Sequence, residues 1–365
     1  MSFLSRRTVA AAAAAGVGIA TITGLGALPA SATTASLGPV HTISSAYVAP
    51  LQFAVQGRSI YVADSATSAL YKVGRTAPIA RGPAPSSNPE TSGDLAGVAA
   101  TDEAIAYTTS TGDHQDTRLT ILSHGHTRIV SLSGFEKRNN PDKRNVYGLV
   151  DVGEVSAACK ADLTAGHVPL SYRGAYDSHP YAVASLGDGA WAVADAGAND
   201  ILKVDRWGHV SLIAVLPPQS LHVTSAMAKA VGAPHCGGVT YRFEAVPTDV
   251  EVGPHGRLYV TTLPGGPEAP ALGARGSVYQ VGWGWTHRIA TGFAAATNLA
   301  VDSCGRIYVA QLGAGTIAEV HEGHGVTVAS LPGVVGVEWA NGHLYASAAP
   351  AVTGGSGPGT VVRFG

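Results

Sequence analysis

Three residues with hard oxygen donors, Gln52, Asp249 and Asn298, hold matching places in three separate stretches of similar outline: LQFAVQ, VPTDVEV and ATNLAV. Carboxylate and amide oxygens gathered at one point suit a hard divalent cation such as Ca2+. Three further stretches put Gly97, Ala182 and Gly336 at the same place, where no side chain can ligate and no Glu stands. Two readings stay open. In one, Gln52, Thr248, Asp249 and Asn298 contact a ligand, with Asp249 and Asn298 as the metal-ligating pair and Gln52 as a contributor if a cation is held. In the other, Asp249 and Asn298 bond to channel water or to neighbouring backbone. No cofactor is certain from the residues alone; a divalent cation is the candidate.

The chain contains 14 histidines. His124 and His126, like His321 and His324, fall in turn-like stretches without a matching acidic cluster and read as surface turns. His179, next to Tyr181, is the one histidine placed to act as an acid or base, and His235 shares its side of the fold. Asp195 closes a strand-like run (WAVAD), where a short carboxylate bonds readily to amides of the following turn. It is therefore both a ligand candidate and a structural one, as is Asp64 in the same column, and Asn199 reads as a turn residue. The run EKRNNPDKR (136–144) reads as a solvated loop. A nucleophile elbow, a phosphate-cradling glycine loop and a Cys-x-x-Cys pair are all absent.

These residues must be held by a repeat. QGRSIYVAD (56–64), TDEAIAYTTS (101–110), GDGAWAVAD (187–195), PHGRLYVTT (254–262), SCGRIYVAQ (303–311) and ANGHLYASA (340–348) share one outline of turn followed by apolar strand. Tyr61, Tyr107, Tyr259, Tyr308 and Tyr345 form a column, with Ala192 as the sixth member. Short strands and glycine turns at such spacing predict an all-β, six-bladed propeller, with five or seven blades as alternatives. Only 222–233 suggests a short helix. Blade six supplies three strands, so Val40–Ser44 is expected to pair with Thr360–Phe364 and close the ring, hiding a free edge.

The extra residues fall at 132–178 and 217–245, on either side of blade three, and both should decorate the top face. Cys159 lies in the first and Cys236 in the second, whereas Cys304 sits in a turn of the opposite face. The expected disulfide is Cys159–Cys236.

The N-terminus, MSFLSRRTVAAAAAAGVGIATITGLGALPASA, has two arginines, an apolar run and an Ala30-Ser31-Ala32 processing signal. It reads as a cleaved export signal over 1–32, of the twin-arginine or the general secretory kind, followed by one domain over 33–365. The formal charge is −2. That mild value leaves no electrostatic footprint for nucleic acid. A secreted monomer without stable membrane insertion is expected.

The stretches 178–202, 246–263 and 290–311 resemble the bacterial ScyD/ScyE-like family, related to NHL-repeat propellers. The likeness is strongest in VADAGAND and VPT-x-V-x-VGP-x-G and departs in TDEAIAYTTS and in 132–178. It implies an exported propeller and little chemistry. Similarity to gluconolactonase-like propellers implies a cation held by Asp249 and Asn298, and a streptogramin-lyase-like activity would place His179 as the base. The leading expectation is a non-catalytic binding or scaffold protein whose insertion-framed mouth takes a small molecule, glycan or protein. The alternative is a metal-dependent lactonase, hydrolase or lyase using Asp249 and Asn298.

Overall fold

Short runs of small and β-branched residues, each broken after five to eight residues by a turn, can bury their apolar faces only by stacking sheet on sheet. A computed structural model describes residues 37–86, 88, 91–267 and 269–365. The export signal expected over 1–32 lies outside the described residues. Seven four-stranded antiparallel sheets are present where six were expected.

Six of the sheets follow the repeat. Their first strands are Pro50–Gln56, Asp94–Ala100, Pro180–Gly187, Pro247–Val252, Ala296–Val301 and Val334–Ala340. Each touches the next, and the last touches the first, in a closed cycle. We number these sheets one to six in chain order. A register shift falls early in every first strand, just before Gln52, Ala182, Asp249, Asn298 and Gly336 and, in sheet two, between Leu95 and Val98. Such a bulge bends the strand where it must turn beside its neighbour. The first reversal of sheet three uses Asp188 (φ 50°) and Gly189 (φ 72°), and that of sheet six uses Asn341 (54°) and Gly342 (78°). Two successive positive φ values make a hairpin turn whose twist matches the strands it joins.

The core lies between sheets. Ala106, Leu119, Val183, Trp191 and Leu202 pack sheet two on sheet three. Ala192, Ile201, Val250, Val260 and Tyr279 pack sheet three on sheet four. The tyrosine column is buried at Tyr107, Tyr259, Tyr308 and Tyr345 and half-buried at Tyr61. TDEAIAYTTS, the weakest copy in sequence, forms a regular strand over Ala104–Ser110.

The first described strand, Val40–Tyr47, pairs antiparallel with Gly359–Phe364, setting Val40 opposite Phe364 and Thr42 opposite Val362. This is the expected closure. Deleting 33–47 would strip the last sheet of its outer strand and expose a free edge. The truncated protein is expected to melt at least roughly 5 °C lower than the full chain, since a degree-scale shift follows each lost kcal/mol. An unchanged melting temperature would count against closure.

The seventh sheet comes from the insertions. Ser171–Arg173, Val146–Leu149, Thr240–Phe243 and Gln219–His222 lie side by side in that order, so each insertion gives two strands. Three short helices accompany them, at Ser133–Asn139, Ala157–Ala165 and Ser225–Ala230. Only the last was expected. Ser156 and Thr224 start the second and third by accepting the amides of Cys159 and Met227. Leu149, Leu163, Ala228, Tyr241 and Phe243 make a small core of their own. The Cys159–Cys236 disulfide runs through it, and Cys304 is free and exposed. Among the described residues no helix is long and apolar enough to cross a membrane.

The disulfide closes a loop across 77 positions of sequence. Much of that loop is sheet three, already ordered by its neighbours, so the gain falls on the insertions. Cys159→Ser is expected to speed proteolysis within 132–178 and 217–245 while leaving sheets four to six intact. Timed peptide mapping checks this. Equal cleavage in sheets four to six would overturn it.

Candidate functional site

The structure brings Gln52, Thr248, Asp249 and Asn298 together, but not as an open mouth. Gln52, Asp249 and Asn298 are 4%, 2% and 4% exposed. Asn298 Nδ2 donates to Gln52 Oε1 at 2.9 Å, and Gln52 Nε2 donates across the ring to the Thr248 carbonyl at 3.2 Å. Asp249 Oδ2 accepts the Leu299 amide of the next sheet at 2.9 Å, and Asn298 Oδ1 accepts the Val337 amide at 2.6 Å. Thr248 Oγ1 donates to the Ala296 carbonyl at 3.0 Å. Asp249 and Asn298 thus each strap their first strand to the following one, which matches the backbone-bonding reading, while Gln52 bridges across the ring to sheets four and five. Among the described residues no group of three His, Cys, Asp or Glu side chains is placed to hold a metal ion. With their oxygens committed to hydrogen bonds, these residues do not fit a bound cation.

Glu251 and Glu338, which the sequence did not single out, lie one step further along the first strands. Burial pushes both carboxyls up, as does their mutual repulsion with Asp249; Glu338 reaches about 8 and Asp249 about 7.

The histidine reading leads to a better-formed site. His179 precedes the first strand of sheet three, and its Nε2 lies 3.0 Å from Oδ2 of Asp94, the first residue of sheet two. His114, in the turn after Ala104–Ser110, stacks on it with ring centroids 4.6 Å apart and planes at 24°. Its Nδ1 meets Asp177 Oδ1 at 2.6 Å. Tyr181 approaches His179 edge-on at 6.0 Å, and the Tyr176 hydroxyl donates to the His114 carbonyl at 3.4 Å. His179 is buried, whereas the His114 and Asp177 side chains are 20% and 28% exposed. His114 also holds φ at 55°, a costly conformation for a non-glycine residue of the kind found at functional sites. Its turn is fixed by Thr111 Oγ1, which donates to Asp113, and by the His114 amide, which donates to the Thr111 carbonyl. Sequence reasoning found His179 and Tyr181 and missed His114, Asp94 and Asp177.

Asp195 is fully buried and saturated. It accepts Ser178 Oγ and the His179 amide at 2.6 Å, and the Gly197 and Ala198 amides at 3.2 Å. Asp64 accepts the Val48 and Ala49 amides in the same manner. Both are straps, so Asp195 is spent on structure. Asn199 sits at a turn (φ 55°), and its side chain also donates to Asp142 and Glu244. His235 is exposed and bonds to Asp162, binding one insertion to the other beside the disulfide. A recess of about 490 Å³ on the outer edge is lined by Arg128, Arg138, Trp207 and His209 and by none of the residues above.

Burial alone would push His179 down, but the Asp94 carboxylate, helped by Asp177 and Asp195, raises it above the ordinary histidine value. A group raised in the folded state gives stability that is full below the unfolded pKa and lost as pH rises through the folded one. The melting gap between wild type and Asp94→Asn is therefore expected to be widest below about pH 6.5 and to close on the alkaline side. Melting curves from about pH 5 to 9 test it; a gap that does not narrow with rising pH would be inconsistent with this pairing.

No protein-family model matches the chain, and no curated protein matches it. Solved structures do. An oxidoreductase described as a glucose dehydrogenase, from Thermus thermophilus, is 14% identical with a TM-score of 0.53, over 89% of this chain and 99% of its own. The PQQ-bound aldose sugar dehydrogenase of Streptomyces coelicolor is 12% identical at 0.54, over 91% and 99%. A gluconolactonase from Xanthomonas campestris is 11% identical at 0.47, over 89% of both chains. At such identity the likeness establishes a shared all-β propeller architecture. Both dehydrogenases are enzymes, and that finding corrects the expectation of a non-catalytic scaffold and the inclination against an enzyme.

Proposed function

We propose that this chain is an exported enzyme that cleaves its substrate by histidine acid–base chemistry, as a hydrolase or lyase, on the top face between sheets two and three. The observation that carries the reading is the pair of stacked histidines, each held by its own aspartate. Asp177 fixes Nδ1 of His114, which makes Nε2 the nitrogen available to a substrate. A partly exposed imidazole oriented by a carboxylate can take a proton from water or from an acidic C–H and return it to a leaving group. His179, favoured in its charged form by Asp94, places positive charge beside that centre, where it would steady a developing oxyanion. The end of the first insertion, at Tyr176 and Asp177, borders this centre.

Within the same proposal, the closed cycle of first strands is a six-bladed ring and the seventh sheet is an accessory layer. The resemblance to the ScyD/ScyE-like family and the export signal belong to it as well. The disulfide supports export, because such bonds persist in oxidising surroundings. The test is a panel of lactones, esters and elimination substrates offered to purified protein, with His114→Ala as the control. Turnover lost in the control supports the reading; equal turnover in both proteins refutes it.

A further inference from the structure

The third and fourth strands of sheet three are joined by a turn at 205–209, at the opposite end of the sheets from His114. Its Trp207 is 64% exposed, and in the matching turn of sheet four Trp283 and Trp285 are 61% and 48% exposed. Large apolar side chains gathered in water mark a place where something binds. A recess lies on each side of the sheet-three turn. The first, of about 490 Å³, is shared with the outer strand of sheet two and lined by Arg128, Arg138, Trp207 and His209. The second, of about 270 Å³, opens toward sheet four, with Lys203 and Trp283 in its wall. The Gly284 amide donates to the Ile213 carbonyl at 2.8 Å and so ties the Trp283 turn to sheet three. Arg138 belongs to the run 136–144, which was expected to be a solvated loop. That run instead begins in the helix Ser133–Asn139, whose Glu136 turns inward while Arg138 stays exposed.

The two recesses repeat one chemistry. Each sets an exposed indole among cationic side chains, and among the described residues no acid lines either. The Arg206 guanidinium carbon lies 4.2 Å from the Trp207 ring centroid, and Lys203 Nζ lies 5.7 Å from that of Trp283. Among the described residues none of Arg128, Arg138, Lys203 and Arg206 forms an ion pair. Asp205, at the foot of the turn, is spent on the turn itself. Its Oδ1 accepts the Trp207 and His209 amides at 2.9 Å, and its Oδ2 meets His209 Nδ1 at 3.0 Å. Trp207 is thus presented from a pinned backbone.

Unpaired cations beside flat apolar rings call for a ligand that is anionic and has an apolar face. A sugar acid has both, since the C–H face of its ring lies against an indole and its carboxylate fits the arginine fork. Both recesses open to solvent, which suits successive units of a chain better than a small molecule enclosed on all sides. A lipid surface also attracts tryptophan and positive charge. Here, however, cations lie on the ring faces, and insertion would drag them toward hydrocarbon.

We propose that these two recesses bind an acidic polysaccharide, with uronate rings stacked on Trp207 and Trp283 and carboxylates held by Arg128, Arg138 and Lys203. The inference goes beyond the acid–base reading and does not rest on it, because the recesses lie at the other end of the sheets and binding is measured without turnover.

The experiment is calorimetric titration of the full-length protein with polygalacturonate oligomers and with the same oligomers fully methyl-esterified, at low and high salt. Trp207→Ala, Trp283→Ala and Arg128→Gln are titrated alongside, and melting curves check that these surface changes leave the fold intact. Wild type should bind the acid form at least about tenfold more tightly than the ester, because only the acid offers charge-assisted bonds. Salt should weaken the acid form alone. Each tryptophan variant should bind about tenfold more weakly or worse, as truncated aromatic anchors do. Arg128→Gln should cost about fivefold on the acid form and nothing on the ester. Galacturonate itself should bind far more weakly than its oligomers, since only a chain reaches both recesses. No binding of the acid form by wild type would overturn the proposal, as would equal affinity for acid and ester. Undiminished binding in all three variants would place the glycan elsewhere and sink it too. Sedimentation with phosphatidylcholine–phosphatidylserine vesicles runs in parallel. Vesicle binding that the tryptophan variants lose, without any glycan binding, would replace the polysaccharide with a lipid surface.

Discussion

His114→Ala is expected to lower kcat by about 10²–10⁴-fold, the usual contribution of a positioned acid–base group. The imidazole is partly exposed and packs against one ring, so melting should shift little and the loss should appear in turnover. Asp177 acts through His114, so it is a positioning residue and needs a different signature. Asp177→Asn keeps the size of the side chain but replaces the acceptor that holds Nδ1 at 2.6 Å, permitting the wrong tautomer. It should reduce kcat with little change in KM, and Asp177→Glu should recover part of the loss. Variants that keep turnover within about threefold of wild type would remove both residues from the chemistry, since less than about 1 kcal/mol of barrier would be at stake.

The propeller architecture was legible because it is written locally and repeatedly. A strand of small apolar residues, a glycine turn and a tyrosine column recur, and each copy needs the next to bury its faces. Ring closure and the disulfide followed from the same logic of edges and faces, and the structure carries both. The seventh sheet was not legible. Its strands are three or four residues long, too short to show a period of two, and they find partners only when two distant insertions meet. The histidine pair was half visible. His179 stands at the head of a clear strand, but His114 lies in an ordinary-looking turn, TGDHQDT, and 63 positions separate it from Asp177. No spacing in the sequence announces a contact made by sheet-to-sheet packing. EKRNNPDKR misled for a related reason. Composition gave it to solvent, whereas the helix at Ser133–Asn139 turns its one acid inward while its neighbouring bases face water.

Asp195→Ala is expected to be the most damaging of the single strap removals. The carboxylate satisfies the amides of His179, Gly197 and Ala198 and the hydroxyl of Ser178 in a region closed to water. Truncation leaves three amides and a hydroxyl without that acceptor, each costing about 1–3 kcal/mol when buried. These costs overlap, and removing the charge eases the repulsion that Asp195 exerts on Glu136 and Asp200. A net loss of about 3 kcal/mol is expected, or a melting temperature lower by roughly 5–10 °C. The same substitution in sheet one, Asp64→Ala, releases only the amides of Val48 and Ala49, and Val48 is exposed at the rim. Its cost should be about half as large, since the number of stranded buried donors sets it. Calorimetric melting of the two variants side by side decides the matter. If Asp64→Ala melts lower than Asp195→Ala, the count of stranded donors does not govern these positions. Asp195→Ala should also unseat His179, whose amide it holds, and so flatten the pH-dependent gap that Asp94 creates.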